Sequence, residues 1–247
     1  MRHLQPLDGS IMPTFDEITP TEMAALHQRF NRDGFLIIKN YLSVMELEEL
    51  RNRALPLAER LLLDQNPSST YQNMLKSLHK HDDWFAQQLA HGRHIPLIRH
   101  LMGTSVSGVS AAWFDRPKNQ SEGIMPHLDA LSGALNKAGA TIWFALDPIA
   151  VGNGCVHYLR YSHKNTYPPI IPIPGIDFES ADVFAAELDP GDVVIHNALT
   201  VHWSGVNQTG LARRAVSYFY SRSDTEAEVP VSANISGHAC VDCHPRT

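Results

Sequence analysis

The sequence predicts a mainly β fold in one domain, a sandwich or barrel of short strands braced by N-terminal helices. Three observations lead to this prediction. The chain has 247 residues, which suits one large domain. Helical periodicity dominates its N-terminal part, whereas short β-like runs alternate with Gly, Pro and Asn from there on. We place the helical part at about 15–104, the barrel at about 105–225 and a tail at 226–247.

The N-terminal part contains clear helix signals. A Thr-x-x-Glu capping box opens the first helix, with Thr19 and Glu22 as the alternative to a start at Thr21, and Gly34 ends it. The run FLIIKNYL then predicts a β-strand. Ser43 is the N-cap expected for the following amphipathic helix. The stretch NMLKSLHKHDDWFAQQLAHGRHIPLIRHLMG predicts two shorter helices.

The remainder predicts strands and one long loop. The β-like runs are VSGVSAAWF, ATIWFALDP, DVVIHNALTVHW and RRAVSYFYS. The proline-rich stretch NTYPPIIPIPGIDFES predicts a long loop, and within it residues 167–174 are our candidate for a lid that sets selectivity.

Charge and composition exclude several partner classes. The net charge is −6 and no run of Lys or Arg occurs, so nucleic acid is a poor partner. No apolar run of roughly 18 or more residues predicts a transmembrane helix. Three cysteines do not make a disulfide framework, and we expect a reducing cytoplasm. Cys240, Cys243 and His244 match the haem-attachment pattern, but we interpret them as part of a loosely packed tail.

One short stretch, HLD, suggests half of a metal site. In a strand, residues i and i+2 point to the same face, so His127 and Asp129 can offer a nitrogen and an oxygen to one point. Two further histidines downstream, His196 and His202, compete as third ligand. Two histidines and one carboxylate form the facial triad of non-haem Fe(II) oxygenases. We favour His202 because a serine and an arginine follow it at fitting offsets, and we interpret His196 as a hydrogen-bonded core histidine.

The residues after His202 suggest an anchor for a dicarboxylate. Ser204 follows it by two residues and Arg213 by eleven, at the start of a strand whose same face continues with small residues. A guanidinium can hold a carboxylate in a bidentate pair, and a serine hydroxyl can add a hydrogen bond. Arg214 competes with Arg213, but neighbouring strand residues face opposite sides and only one can point into the barrel. Iron beside an anchored dicarboxylate predicts a 2-oxoglutarate-dependent oxygenase.

Several motifs in order give a wider resemblance. They are HLD at 127–129, Trp143 in TIWFALDP, NGCVHYLRYSHK at 153–164, PGDVVIH at 190–196, HWSGVN at 202–207, and Arg213. With these motifs the chain resembles the phytanoyl-CoA dioxygenase family of Fe(II)/2-oxoglutarate oxygenases over about residues 20–222. One departure is LRYSHK in place of the family's Pro-Gly-Ser-His, which we expect to alter a turn near the pocket mouth.

The resemblance implies a double-stranded β-helix, a jelly-roll or cupin-like barrel, with bracing N-terminal helices. It implies that Fe(II) is bound by His127, Asp129 and His202, and that the distal carboxylate of 2-oxoglutarate is held by Arg213 and Ser204. It also implies that Trp143 lines the co-substrate pocket and that Asn73 lies near the C1 carboxylate. The cofactors are then Fe(II), 2-oxoglutarate and O₂.

The implied reaction is hydroxylation, or another oxidation, of a C–H bond in a small-molecule metabolite, with release of succinate and CO₂. Related halogenases have a small residue where Asp129 stands, so Asp129 favours a halide-free oxidation. Two alternatives are a non-catalytic metal- or ligand-binding barrel and a zinc hydrolase with the same triad; neither needs Arg213 and Ser204. Arg116 and Lys118 on the loop before the triad suit an anionic substrate, although we favour a solvated loop. We expect a small polar metabolite as substrate.

Overall fold

Two antiparallel sheets form the centre of the computed structural model, which describes residues 18–65, 73–120, 122–130, 139–168 and 170–223. Within these ranges the α-helices are α1 (Pro20–Asp33), α2 (Val44–Leu63), α3 (Asp83–His91) and α4 (Ile95–Met102), and short 3-10 turns lie at Leu78–Lys80, Val151–Asn153 and Ser162–Lys164. The strands there are β1 (Phe35–Ile38), β2 (Met74–Lys76), β3 (Val106–Arg116), β4 (Ile124–His127), β5 (Gly139–Ala145), β6 (Val156–Leu159), β7 (Val183–Ala186), β8 (Val193–Asn197), β9 (His202–Ser204) and β10 (Arg213–Arg222). Cys240, Cys243 and His244, which we interpreted as part of a loosely packed tail, lie outside the described ranges.

The sheets are of unequal size. The larger has the strand order β1-β8-β5-β10-β3-β2, and the smaller has the order β4-β9-β6-β7. Side chains of one face of the larger sheet and of the smaller sheet share an apolar cluster that includes Trp143, Ala215 and Tyr158, so the two sheets pack face to face. This mainly β, two-sheet arrangement confirms the predicted jelly-roll fold.

The helices cover the outer face of the larger sheet. Thr19 caps the first helix: its hydroxyl accepts from Glu22 N while the Glu22 carboxylate accepts from Thr19 N at 2.9 Å. It ends at Gly34, whose φ of 85° is left-handed and therefore favours glycine. Ser43 caps α2 with the same reciprocal box. Apolar residues of these helices, such as Phe30, pack in one cluster with the outer face of the sheet.

Alternation along the strands decides which residues enter the space between the sheets. Along β3 and β10, Phe114 and Ala215 belong to the inner cluster, whereas Trp113 and Val216 belong to the cluster under the helices. Arg213 shares the inner face with Ala215. Its neighbour Arg214 instead faces outward, where it forms a two-bond ion pair with Asp147.

Three local predictions differ from the structure. The residues Met74–Lys76 form a strand that pairs with β3 instead of starting a helix, because an open sheet edge satisfies their backbone groups. The run DVVIHNALTVHW is divided between β8 of the larger sheet and β9 of the smaller sheet by a turn at Asn197–Thr200. β4 ends at His127, so Asp129 lies in the turn after the strand and not on the strand itself.

The proline-rich segment rests on the outer face of the smaller sheet. Ile173 is 2% exposed and packs with Leu128, Val201 and Trp203. Its N–H donates to Pro126 O at 2.9 Å. The segment is thus anchored beside the strand that carries His127. No helix within the described ranges is long and apolar enough to cross a membrane.

Candidate metal centre and co-substrate pocket

The three residues of the candidate triad meet between the sheets. His127 ends β4 and His202 begins β9, and the two are directly paired across the ladder with ring centroids 4.2 Å apart. Asp129 reaches the same point from the turn, with Oδ1 3.6 Å from His202 Nε2. One donor atom from each residue lies within 4.8 Å of the other two. Two imidazoles and a carboxylate are therefore close enough for one cation to bridge them.

Backbone contacts set the orientation of both imidazoles. His127 Nδ1 donates to Met125 O at 2.8 Å, and His202 Nδ1 donates to Thr200 O at 2.9 Å. A carbonyl can only accept, so each Nδ1 carries the proton and each Nε2 keeps its lone pair. This is the usual way in which a protein presents imidazole to a metal.

Asp129 is held by donors on one of its two oxygens. Oδ2 accepts from Thr141 Oγ1 at 2.5 Å and from His196 Nε2 at 2.9 Å. Thr141 and His196 are direct partners on neighbouring strands β5 and β8. Because Oδ2 is occupied, Oδ1 is the oxygen that faces His202. His196, the rival ligand, thus contacts the carboxylate instead of joining the triad.

A tyrosine extends this network across the space between the sheets. Tyr158 OH lies 3.1 Å from His196 Nδ1, and it donates there because His196 already donates through Nε2. Sequence reasoning missed Tyr158 and Thr141. Thr141 could have been found from its position two residues before Trp143, on the same face of one strand. Tyr158 carried no such signal, because its own strand was not predicted.

The protonation states suit a divalent cation. Burial lowers the pKa of His127, and burial together with the nearby His127 lowers the pKa of His202 well below its usual value. Burial alone would raise the pKa of Asp129, but His202 and His196 outweigh it and hold that pKa well below its usual range. At neutral pH His127 and His202 are therefore neutral and Asp129 is ionised, the forms that bind metal.

Arg213 lies at one end of the same interior. It is 2% exposed, its Nη2 donates to Gly154 O, and its guanidinium carbon lies 5.2 Å from the Trp143 ring centroid. Its buried Nε has no hydrogen-bond partner among the described residues. Burial, and after it the charge of Arg116, lower its pKa to about 9, so it stays cationic at neutral pH.

The structure corrects the sequence interpretation of Arg116. It is not on a solvated loop: it is the last residue of β3, 6% exposed and directly opposite Arg213. Its Nη2 donates to Ser204 Oγ at 2.7 Å, and its Nη1 donates to Glu122 O at 2.8 Å. Lys118, which we grouped with it, is exposed.

Asn207 holds the loops around this pocket together by hydrogen bonds, a role that the sequence analysis did not identify. The two N–H groups of its side-chain nitrogen are shared among the carbonyls of Arg116, Pro117 and Leu211 at 2.8–3.0 Å, and its Oδ1 accepts from Thr209 N. The side chain is fully used and 1% exposed, which explains an asparagine at the end of HWSGVN.

Within the described ranges the Asn73 side chain makes no hydrogen bond to the triad residues. Asn73 precedes β2 and contacts Gln65 and Asp115 through its backbone, donating to Gln65 Oε1 at 3.0 Å and accepting from Asp115 N at 2.9 Å. The charged residue of β2 that influences the site is Lys76. After burial and His196, its ammonium contributes to the lowered pKa of His127.

Comparisons with known proteins identify the family of this chain. The model of the phytanoyl-CoA dioxygenase (PhyH) family matches residues 30–215. A "phytanoyl-CoA dioxygenase domain-containing protein 1 homolog" of Caenorhabditis briggsae is 21% identical over 83% of this chain and 93% of its own length.

Solved structures share the fold. SnoK, a non-heme alpha-ketoglutarate-dependent carbocyclase from nogalamycin biosynthesis, superposes with a TM-score of 0.72 at 18% identity, over 87% of this chain and 88% of that one. EctD of S. alaskensis, solved with 2-oxoglutarate and 5-hydroxyectoine, gives 0.68 at 20% identity over 89% and 81%. The chain belongs to the phytanoyl-CoA dioxygenase family, which consists of Fe(II)- and 2-oxoglutarate-dependent enzymes.

Proposed function

We propose that this chain hydroxylates a C–H bond of a small polar metabolite, with Fe(II) bound by His127, Asp129 and His202 and with 2-oxoglutarate as co-substrate. The observation that carries the proposal is the pairing of two features in one interior. One is the triad, whose imidazole Nε2 atoms and carboxylate Oδ1 are left free by their other contacts. The other is Arg213, a buried cation without an acidic partner among the described residues.

The chain's own residues have distinct tasks in this proposal. When bound, Fe(II) together with 2-oxoglutarate and O₂ supplies the oxidising power for C–H cleavage, with succinate and CO₂ as co-products. Arg213 and Ser204 bind the distal carboxylate of 2-oxoglutarate, and Trp143 forms a wall of the pocket. Thr141 and His196 keep the Asp129 carboxylate oriented. Trp143, Ala215 and Tyr158 are buried between the sheets, which limits water around the co-substrate.

Hydroxylation is the outcome we favour for this site. Asp129 supplies a carboxylate at the position where a halogenase needs room for halide, so a halide-free oxidation is supported. A zinc hydrolase or a non-catalytic barrel would have no use for a buried guanidinium that lacks an acidic partner. We further propose that the helical part and the barrel act as one domain in a reducing cytoplasm, which is supported by their shared apolar cluster and by the free buried thiol of Cys155.

The test needs no substrate. Purified protein, free of metal and oxygen, is given Fe(II) and then 2-oxoglutarate, and the weak visible charge-transfer band of the chelate is recorded. We expect the band in the wild type, a weaker band in Arg213→Ala, and an unchanged band in Arg214→Ala. Arg214 is the matched control because it is adjacent but faces the other side of the sheet, paired with Asp147.

Two results would contradict the proposal. Binding of Fe(II) without any charge-transfer band on addition of 2-oxoglutarate would contradict the proposed oxygenase function. Normal turnover by Asp129→Ala, once a substrate is found, would remove the assignment of the triad.

A further inference from the structure

Two buried arginines face each other in the co-substrate pocket. Arg116 of β3 and Arg213 of β10 are direct partners in the antiparallel ladder, so their side chains project from the same face of the sheet. Both are almost fully buried. Like charges directly opposite on neighbouring strands destabilise a sheet, and a buried cation needs compensation. The arrangement therefore calls for a negative charge.

Two carboxylates act on the pair without forming an ion pair: against the lowering by burial, Asp115 raises the pKa of Arg213 and Glu122 raises that of Arg116, but both values stay lowered. No carboxylate among the described residues forms an ion pair with either guanidinium. The recorded partners are neutral oxygens: Glu122 O and Ser204 Oγ for Arg116, and Gly154 O for Arg213. Arg213 Nε is buried without a partner. Neutral acceptors satisfy some N–H groups but leave both positive charges without an ion-pair partner among the described residues.

Arg116 also determines how Ser204 can act. Its Nη2 donates to Ser204 Oγ at 2.7 Å, so this hydroxyl already accepts one hydrogen bond from a charged donor. A hydroxyl has a single proton, which remains available to donate to an acceptor such as a carboxylate oxygen. Arg116 Nη1 is held at the same time by Glu122 O, so the guanidinium plane is fixed at two points. Ser204 is thereby oriented as a donor.

We propose that Arg116 is a positioning residue of the co-substrate site: it orients the Ser204 hydroxyl and, beside Arg213, adds a second positive charge for the distal carboxylate of a 2-oxo acid. This inference rests on the proposed function and deepens it. Its consequence is selectivity, because two guanidinium groups that lack an acidic partner favour a co-substrate with a distal anion and disfavour an analogue that has a methyl group there.

The test compares two ligands that differ only at the far end. Protein loaded with Co(II) is titrated calorimetrically, without oxygen, with 2-oxoglutarate and with 2-oxopentanoate, which carries a methyl group in place of the distal carboxylate. The dissociation constant of 2-oxopentanoate divided by that of 2-oxoglutarate measures how strongly the protein recognises the distal carboxylate. We expect Arg116→Gln to reduce this ratio by about tenfold or more, as for loss of one charge-assisted contact. Lys118→Gln removes the same charge from an exposed position and should leave the ratio unchanged.

The outcomes separate this inference from the proposed function. An unchanged ratio in Arg116→Gln overturns the role of Arg116, and so does an equal loss of affinity for both ligands, which would reveal general damage. Equal affinity of the wild-type protein for both ligands would instead remove the carboxylate anchor of the proposed function. If Arg116→Gln does not fold, Arg116→Lys keeps the charge but cannot span Glu122 O and Ser204 Oγ. Its ratio should also fall, and an unchanged ratio would overturn the positioning role.

Discussion

Replacing Thr141 by valine should weaken metal binding while leaving the fold intact. Thr141 contributes no ligand, but its hydroxyl donates to Asp129 Oδ2 at 2.5 Å, and His196 Nε2 donates to the same oxygen at 2.9 Å. Valine keeps the branched shape on β5 and removes only the donor. Asp129 then keeps one of two contacts on Oδ2, and its carboxylate can rotate away from the orientation in which Oδ1 faces His202.

The size of the effect follows from the type of bond lost. A hydrogen bond to a charged group contributes about 1.5–3 kcal/mol. Residues that orient a metal ligand typically change metal affinity by about 10- to 100-fold, which corresponds to about 1.4–2.7 kcal/mol. The two ranges agree, so we expect Thr141→Val to raise the dissociation constant for Fe(II) or Mn(II) by about 10- to 100-fold.

The assay is an anaerobic metal titration of the wild type and Thr141→Val. The matched control is Tyr220→Phe, which also removes one buried hydroxyl. Tyr220 OH contacts His94 and Leu89 O under the helices, away from the triad, so this variant should bind metal normally. A folded Thr141→Val protein with wild-type metal affinity would refute the reasoning that Oδ2 contacts orient Asp129.

Three further predictions concern stability and the pocket. Burial, assisted by the Arg93 charge, lowers the pKa of His94 to about 3, below its value in the unfolded chain. The stability that the neutral His94 contributes is therefore complete above the unfolded pKa and is lost as the pH falls. Between about pH 6 and 4 the free energy of unfolding should fall more steeply in the wild type than in His94→Phe, by about 1.4 kcal/mol per pH unit; parallel denaturation curves would contradict this. Asn207→Ala should lower the free energy of unfolding by about 3 kcal/mol in urea denaturation, because it leaves several buried carbonyls without donors. A loss of only a few tenths of a kcal/mol would show that the loops do not depend on the Asn207 side chain. Trp143→Leu should weaken 2-oxoglutarate binding by about threefold to thirtyfold through loss of the ring beside Arg213, and unchanged calorimetric affinity would exclude that contact.

Much of the fold could be predicted because its signals are local. The capping boxes at Thr19 and Ser43 and the left-handed turn at Gly34 depend on residues within one helical turn, and the structure has each of them. Most of the long β runs were recognised for the same reason. Short strands such as Met74–Lys76 were missed because their pairing comes from a distant partner, β3, and not from their own residues.

The residues of the candidate site could be predicted from the sequence, but their detailed arrangement could not. The residue types and their order suggested His127, Asp129, His202, Ser204 and Arg213, and the structure brings all five into the interior between the sheets. Sequence order could not reveal that Asp129 leaves the strand, because the end of β4 depends on its pairing with β9. Nor could it show that Asn73 precedes β2 and hydrogen-bonds there through its backbone; its role near the C1 carboxylate stays a prediction.

The sequence by itself determined the chemical groups of this protein, the faces of its strands and the family motifs that carry the iron and 2-oxoglutarate chemistry. Tertiary structure alone decided which groups act together. His196 reaches Asp129 across 67 residues, and Arg116 reaches Ser204 across 88. Contacts over such separations depend on sheet order and register, and a buried charge gains or loses its partner only when distant strands come together.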